Sequence, residues 1–219
     1  MKEIIVMILS YLPQYFSDCG AIIVGPKSFV LKRISSENFS KSNEPFLFLG
    51  LSVAISALIM AQLPYHKDVY TALIINFVLY FVGIVAMSFV IVGGRAPYKE
   101  YFAVYTYIVS AGNLMWGCIL LISFGILRTL DADTFYALQN ASTGQARKEI
   151  IQHSSAIVPF AASFAIGSML LSLWGYISWG AYRQINHLSK MRSFLAFTLA
   201  GILSVPVVVL FYLLRAAFD

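Results

Sequence analysis

Five long stretches without a charged residue constrain this chain more than any other feature. Each is 18 to 27 residues long and contains no Asp, Glu, Lys, Arg or His. As helices rising about 1.5 Å per residue, such stretches are long enough to cross the roughly 30 Å of hydrocarbon in a bilayer. They occupy residues 46–63, 69–92, 101–127, 157–182 and 194–214. The pattern predicts an all-α fold, an integral membrane bundle of five transmembrane helices spanning residues 46–214.

Residues 1–45 precede the first stretch and form a separate cytoplasmic or interfacial segment. Apolar residues recur there at helical spacing with polar residues opposite, which is typical of an amphipathic helix lying along a membrane interface. The apolar set is Ile5, Ile8, Leu9, Leu12, Tyr15 and Phe16, and the polar set is Glu3, Ser10, Gln14 and Ser17. A signal peptide is the alternative, but the apolar run breaks at Pro13 and no small-residue cleavage pattern follows.

The sequence also predicts the structure of two segments outside the spans. A break at Gly25–Lys27 should end the first helix, and Ser28–Ile34 should form a second short piece. In that piece, Lys32 and Arg33 are placed to contact lipid headgroups. Residues 128–156 form the only long loop between spans. We expect it either to rest on the membrane surface or to be mobile.

The distribution of basic residues predicts an orientation. Of the 15 Lys and Arg residues, ten lie in the N-terminal segment and in the second and fourth loops, and five lie on the other side. Because positive residues resist translocation, the N-terminus should be cytoplasmic and the C-terminus outside. The net charge of +5 is scattered over short loops. We therefore expect membrane lipids, and no nucleic acid, as partners.

Small and polar residues recur every three or four positions within the spans. Such a repeat lets helix backbones approach, so these faces predict packing seams. One example in the first span is the series Gly50, Ala54, Ala57 and Ala61, and one in the fourth begins with Ala161 and Ala165. A polar path for a small solute or ion through the second, third and fourth spans is the alternative, and stays open. The residues of this seam or path are Asn76, Thr106, Ser110, Asn113, Ser168 and Ser172.

Intramembrane chemistry is not expected from this chain. No span contains the carboxylate, His, Lys or Arg that proton coupling or acid–base catalysis requires, so we predict no catalytic residue, metal site or cofactor. Asn76 and Asn113 need partners in hydrocarbon, and either an Asn76–Asn113 or an Asn113–Ser hydrogen bond would suffice. Ser110 and Ser172 are expected to bond to backbone carbonyls.

The fourth loop is the predicted cytoplasmic contact. Its basic and aromatic residues include Arg183, His187, Lys190 and Arg192. Anionic lipid headgroups are one occupant that fits these charges, and a protein partner or a second copy of the chain is the other. Asn140 begins an Asn-Ala-Ser glycosylation sequon, which matters only if the outer loop faces a eukaryotic lumen.

Four short sequence motifs, in their order along the chain, resemble those of the Yip family of Ypt/Rab-interacting five-pass membrane proteins. They are Gly25–Phe29 before the spans, Glu44–Phe48 at the first span, Gly93–Tyr101 before the third and His187–Phe194 before the fifth. The resemblance covers residues 25–214 and implies a non-enzymatic adaptor, scaffold or membrane organiser with a cytosolic N-terminus. In eukaryotes the family is linked to Rab GTPases, vesicle traffic and membrane shaping.

The chain resembles the prokaryotic members more closely than the eukaryotic branch. It has no long acidic N-terminal region, and acidic residues do not precede its Gly25-Pro26 pair. The resemblance therefore implies a plasma (inner) membrane location in a prokaryote, with a eukaryotic endomembrane as the alternative.

Overall fold

The part of the chain that the structure describes is helical and contains no strand. This computed structural model describes residues 2–36, 43–64, 97–141 and 144–218, with isolated positions 75, 79, 83, 86 and 91. Eight helices lie within these residues: α1 Lys2–Val24, α2 Pro26–Ile34, α3 Glu44–Met60, α4 Tyr98–Leu130, α5 Ala132–Asn140, α6 Gly144–Gln152, α7 Ile157–Ile185 and α8 Lys190–Phe218. The predicted all-α class is confirmed.

Two of these helices, α4 and α7, are long and apolar enough to cross a membrane. They contain 33 and 29 residues and extend a few residues beyond the uncharged stretches that predicted them. Helix α3 is also apolar but has only 17 residues, and α8 covers the fifth predicted span. The second predicted span, residues 69–92, lies outside the described residues except at the five isolated positions.

Helix α7 buries little of its apolar surface against the protein. Only 6% of an 18-residue apolar stretch of α7 is buried, compared with 28% of the corresponding stretch of α4. The core helix of a soluble domain would be mostly buried, because its apolar face packs on neighbouring elements. The surface of α7 is instead suited to an apolar environment or to another apolar surface.

Contacts divide the chain into two units, of which the first comprises Met1–Leu51, Ile75–Ala111 and Trp174–Asp219. Its core is rich in aromatic residues: Tyr15, Phe48, Tyr101, Tyr107 and Tyr182 are each at most 2% exposed. Helices α1 and α2 meet at Gly25, and Pro26 occupies the first turn of α2, where its missing N–H is not needed. The side chain of Trp174 donates through Nε1 to the carbonyl of Ile22 at 3.3 Å, which joins α7 to α1.

Helix α1 continues through Pro13 to Val24, so the predicted amphipathic helix extends past the residue that interrupts its apolar run. On the C-terminal side of the proline, Tyr15 and Ile22 are buried, and their contacts hold this part of the helix against the protein. The break expected at Gly25–Lys27 is present, and α2 follows it directly.

The second unit comprises Ser52–Ile74 and Gly112–Leu173 and contains the predicted long loop. Within residues 128–156 the described part of the chain forms two short helices, α5 and α6. Phe135 and Leu138 of α5 pack into a core with Phe124 and Leu127 of α4. The loop is thus anchored by apolar side chains, which its sequence supplied at helical spacing.

Asp131 caps α5 and fastens it to the start of α7. Its carboxylate accepts hydrogen bonds from the Thr134 amide at 3.1 Å and the Thr134 hydroxyl at 2.9 Å. The same carboxylate accepts from the Ser154 hydroxyl at 2.7 Å and the Ser155 amide at 3.1 Å. Hydrogen bonds from Ser154 and Thr134 stabilise the anion and lower the pKa of Asp131 to about 2.

Candidate functional site

The end of α7 and the start of α8 form a basic turn, which we define as Arg183–Arg192. His187, at φ 50°, occupies the left-handed position that commonly ends a helix. The His187 amide donates to the Gln184 carbonyl at 3.2 Å and the Leu188 amide to the Arg183 carbonyl at 3.1 Å. These two bonds are those of a Schellman motif, so the turn has a defined backbone rather than a loose loop.

Side chains on either side of the turn fix it further. Buried Asn186 donates through Nδ2 to the carbonyl of Tyr182 at 3.0 Å. On the other side, the hydroxyl of Ser189 accepts from the amide of Arg192 at 3.4 Å, and Ser189 thus caps α8. The turn therefore holds the basic side chains of two helices at one place.

The four residues predicted as a cytoplasmic contact differ in exposure. Arg183 is half-buried, whereas His187, Lys190 and Arg192 are exposed. Two large apolar side chains beside them are also exposed, Met191 at 69% and Phe194 at 55%. The combination of exposed cations and exposed apolar groups suits an amphipathic surface, such as an anionic membrane or a partner helix.

Helix α2 brings another cation to the same unit. The methylene stem of Lys27 lies against Gly180 of α7, where a Cβ atom would come within 3.1 Å of its Cδ. Gly180 precedes Arg183 by three residues, about 4.5 Å along the helix axis. Lys27 is therefore near the basic turn and adds to its positive charge.

A second polar feature of this unit is a charge cluster that joins α1, α2 and the start of α3. The Arg33 guanidinium bonds Asp18 Oδ1 through Nη2 at 2.6 Å and Glu44 Oε2 through Nη1 at 3.4 Å. The Asp18 side chain is only 6% exposed, while Arg33 and Glu44 are 29% and 32% exposed. With its amide oxygen facing Arg33, Gln14 accepts from Nη2 at 2.9 Å.

Aromatic side chains surround this charge cluster. Phe29 lies below the guanidinium, 5.6 Å from Arg33 Cζ to the ring centroid, and makes an edge contact with Tyr107 at 5.3 Å. The hydroxyl of Tyr11 donates to Asp18 Oδ2 at 3.5 Å. Burial raises the pKa of the Asp18 carboxyl, and the hydrogen bond from Arg33 opposes this shift. The cluster thus depends on Arg33 to keep a buried carboxylate charged.

The cluster corrects the sequence prediction for Arg33. That residue was expected to contact lipid headgroups, but it pairs with Asp18 and Glu44, while Lys32 is exposed. One sequence signal was available, because Asp18 lies on the same helical face as Tyr11 and Tyr15. Its cation Arg33 is 15 residues away, and Glu44, which shares that cation, is 26 residues away, separations that periodicity does not connect.

Helix α1 also presents a continuous exposed apolar stripe. Val6, Leu9, Phe16 and Ile23 are 57%, 58%, 62% and 46% exposed, at spacings of three or seven residues. Tyr15 belonged to the predicted apolar face together with Leu9 and Phe16, but it is buried against the protein. The apolar residues of α1 therefore form two faces, one packed in the unit and one exposed.

The six residues of the predicted polar seam are placed as follows. Asn76 lies outside the described residues. Thr106 and Ser110 belong to the first unit and are fully buried, and their hydroxyls have no hydrogen-bond partner among the described residues. The backbone-carbonyl bond expected for Ser110 is therefore not observed.

The other three belong to the second unit and bond locally. Asn113 donates through Nδ2 to the hydroxyl of Ser56 at 2.7 Å, so the expected Asn113–Ser contact is present between α4 and α3. Ser168 and Ser172 donate to the carbonyls of Phe164 and Ser168 at 2.7 and 2.8 Å. The carbonyl bond expected for Ser172 is thus confirmed.

Close helix packing is seen on only some of the predicted small-residue faces. Gly117 of α4 lies where a Cβ would be 3.3 Å from Ile59 of α3, which shows a close approach. In contrast, Gly50 and Ala54 of α3 are exposed, and the serines on its opposite side, Ser52 and Ser56, are buried. In α3 the packed face is therefore the serine face. On α7, Ala161 and Ala165 are also exposed.

No cluster suited to a metal occurs in the described part of the chain, judged by groups of three or more His, Cys, Asp or Glu side chains. Cys19 and Cys118 are both free. Comparison of the chain with protein-family models, curated proteins and solved structures finds no match. The interpretation of the site therefore rests on its own geometry.

Proposed function

We propose that this chain is a non-enzymatic, Yip-like integral membrane protein with five passes, acting as an adaptor, scaffold or membrane organiser. The observation that carries the proposal is the hydrogen-bonded basic turn, whose cations lie beside exposed Met191 and Phe194. Such a surface is suited to binding by charge and apolar contact. The Yip resemblance of the sequence supports the same role.

The membrane part of the proposal draws on the exposed apolar helices. Helices α4 and α7 have the required length, and the apolar stripe of α1 is suited to the lipid interface beside them. In the proposed topology the N-terminus and the basic turn are cytoplasmic and the C-terminus is outside, in a prokaryotic plasma membrane. Reporters active only in the cytoplasm should work when fused after Ser193 and fail after Asp219. The reverse result would refute this orientation.

The adaptor role is tested with two charge-matched double variants. Lys190→Ser with Arg192→Ser removes two exposed cations from the basic turn and leaves half-buried Arg183 in place. Arg128→Ser with Lys32→Ser removes two exposed cations outside the basic turn as a control. Both variants and the wild type are cross-linked in cells, purified in mild detergent, and compared by quantitative mass spectrometry of the bound proteins.

An adaptor predicts a set of proteins lost only from the basic-turn variant. Equal recovery of the same proteins with all three forms would show that the basic turn is not the contact surface. The transport alternative stays a prediction, tested by solute flux in proteoliposomes with Asn113→Leu as the control. Since Asn113 is bonded to Ser56, we expect this change to reduce stability.

A further inference from the structure

A cavity of about 360 Å³ opens in the second unit between α4 and the two short helices. This volume lies within the range of roughly 300 to 1,000 Å³ that is usual for small-molecule sites. Its apolar lining includes Phe124, Leu138, Ile151 and Pro64, of which Phe124 and Leu138 are almost fully buried. The cavity is therefore suited to a hydrocarbon group.

Two cations belong to the same lining, Arg147 and Lys148, which are adjacent on α6. Arg147 is held in place, since its Nη2 donates to the carbonyl of Ala141 at 2.9 Å. Lys148 is exposed. The neighbouring acid Glu149 is exposed and accepts a hydrogen bond from Gln145 at 3.3 Å. The carboxylate of Asp131 accepts hydrogen bonds from Thr134 and Ser154. Among the described residues, neither carboxylate lines the cavity, and the charged groups of its described lining are the two cations.

The position of the cavity fits a lipid rather than a water-soluble ligand. Phe124 lies six residues before the end of α4, about 9 Å along the axis. Lys148 lies on α6, which follows that end of α4 in the chain, and is exposed. If α4 crosses the bilayer as proposed, the apolar lining near the end of α4 adjoins the acyl chains, and the exposed Lys148 is placed to reach the headgroups. The same ordering occurs in a phospholipid.

We infer that this cavity binds one acyl chain of an anionic phospholipid from the bilayer, with Lys148 and Arg147 facing the headgroup. This inference rests on the membrane placement in the proposed function. The cavity holds the acyl chain by apolar contact, and the cations select for negative charge. The site is independent of the basic turn, which belongs to the other unit.

The test uses the full chain in detergent and native mass spectrometry with added phosphatidylglycerol or phosphatidylcholine. Lys148→Ala should weaken phosphatidylglycerol binding about fivefold, the effect of one basic residue near an anionic surface. Binding of phosphatidylcholine should be weaker and unchanged by the substitution. Arg128→Ala, which removes an exposed cation of the same unit that is not part of the described cavity lining, is the matched control and should leave phosphatidylglycerol binding unchanged.

A second variant probes the apolar lining without changing charge. Ile151→Trp fills the cavity from the half-buried face of α6 and should reduce binding of both lipids. Its folding is checked by a thermal melt. Phosphatidylglycerol binding that is equal in wild type, Lys148→Ala and Ile151→Trp would overturn the inference.

Membrane fractionation separates this failure from failure of the proposed function. A chain that resists alkaline carbonate extraction, yet binds lipid independently of Lys148, refutes the cavity site alone. A chain released by carbonate without detergent refutes the membrane placement, and the lipid site with it.

Discussion

Replacing Arg33 by Met tests whether the charge cluster fastens the N-terminal helices. The substitution keeps an apolar stem of similar length but leaves the carboxylates of Asp18 and Glu44 without their shared cation. Removal of one partner from a fully buried ion pair costs about 3 to 5 kcal/mol. Arg33 and Glu44 are nearly one-third exposed, so we expect a smaller loss of about 2 to 3 kcal/mol.

In a chain of this size such a loss lowers the melting temperature by roughly 4 to 12 °C. The measurement is a thermal melt of the purified protein in detergent at a fixed scan rate, because unfolding of such proteins is often irreversible. Lys32→Met is the matched control, since Lys32 is the exposed neighbour on the same helix, and it should change the melting temperature by less than about 2 °C.

The pH dependence of this effect has a defined sign. Burial raises the folded-state pKa of Asp18 in the intact protein, and loss of the opposing guanidinium should raise it further above its unfolded value of about 3.9. The folded state then favours the protonated acid, so its stability is greatest below the unfolded pKa and is lost as pH rises through the folded pKa. The deficit of Arg33→Met should therefore be smaller at pH 5 than at pH 8. Adding Asp18→Asn should recover part of it at pH 8.

The reactivity of Cys19 reports whether the destabilisation by Arg33→Met arises at the charge cluster. Burial raises the pKa of the Cys19 thiol, which follows Asp18 directly, so alkylation of Cys19 should be slow in the intact protein. In a Cys118→Ser background, Arg33→Met should speed this alkylation as α1 and α2 loosen. If Arg33→Met and Lys32→Met melt alike and Cys19 reacts at the same rate in both, the charge cluster does not fasten these helices.

Three further predictions concern single backbone or capping positions. Gly167→Ala should destabilise the second unit by about 1 to 3 kcal/mol, because the added Cβ would lie 2.6 Å from Ile119 Cγ2. Gly175→Ala is the control and should leave stability unchanged in thermal melts, because the space around its Cβ is open. His187→Gly should raise stability by about 1 kcal/mol by relieving the positive φ, whereas His187→Ala should give no gain in the same melts. Asp131→Ala should speed amide hydrogen exchange in α5. In the unmodified chain, the pKa of Asp131 is lowered, so the stability that its carboxylate contributes is fully present above about pH 4 and is lost as the pH falls toward 2.

The helices could be predicted where the sequence lacks charged residues. A long apolar stretch in lipid must satisfy its own backbone hydrogen bonds, and a helix does so within one segment. Which face of a helix packs was less predictable. In α3, the small-residue face with Gly50 and Ala54 and the hydroxyl face with Ser52 and Ser56 have the same spacing of four and lie on opposite sides. Periodicity alone does not tell which of two such faces meets a neighbour. The contacts of α4 decided it, through Asn113.

The candidate sites differ in how much the sequence revealed. The basic turn was identified from its composition, because Arg183, Lys190 and Arg192 lie close together in the chain. Its Schellman geometry was not expected, since His187 is not the glycine usual at that position. The pairing of Asp18 with Arg33 depends on how α1 turns back on α2, a three-dimensional property that single-segment patterns do not contain.

Pro13 limits how deeply α1 can enter the proposed membrane. Proline has no amide hydrogen, so the carbonyl of Leu9, four residues earlier, loses its usual helical donor. Both residues are exposed, and Leu9 belongs to the apolar stripe of α1. A bare carbonyl in hydrocarbon costs several kcal/mol, whereas water at the headgroups satisfies it. In the proposed membrane placement, the proline should therefore keep the stripe at the hydrated boundary, so that α1 would lie along the bilayer rather than across it.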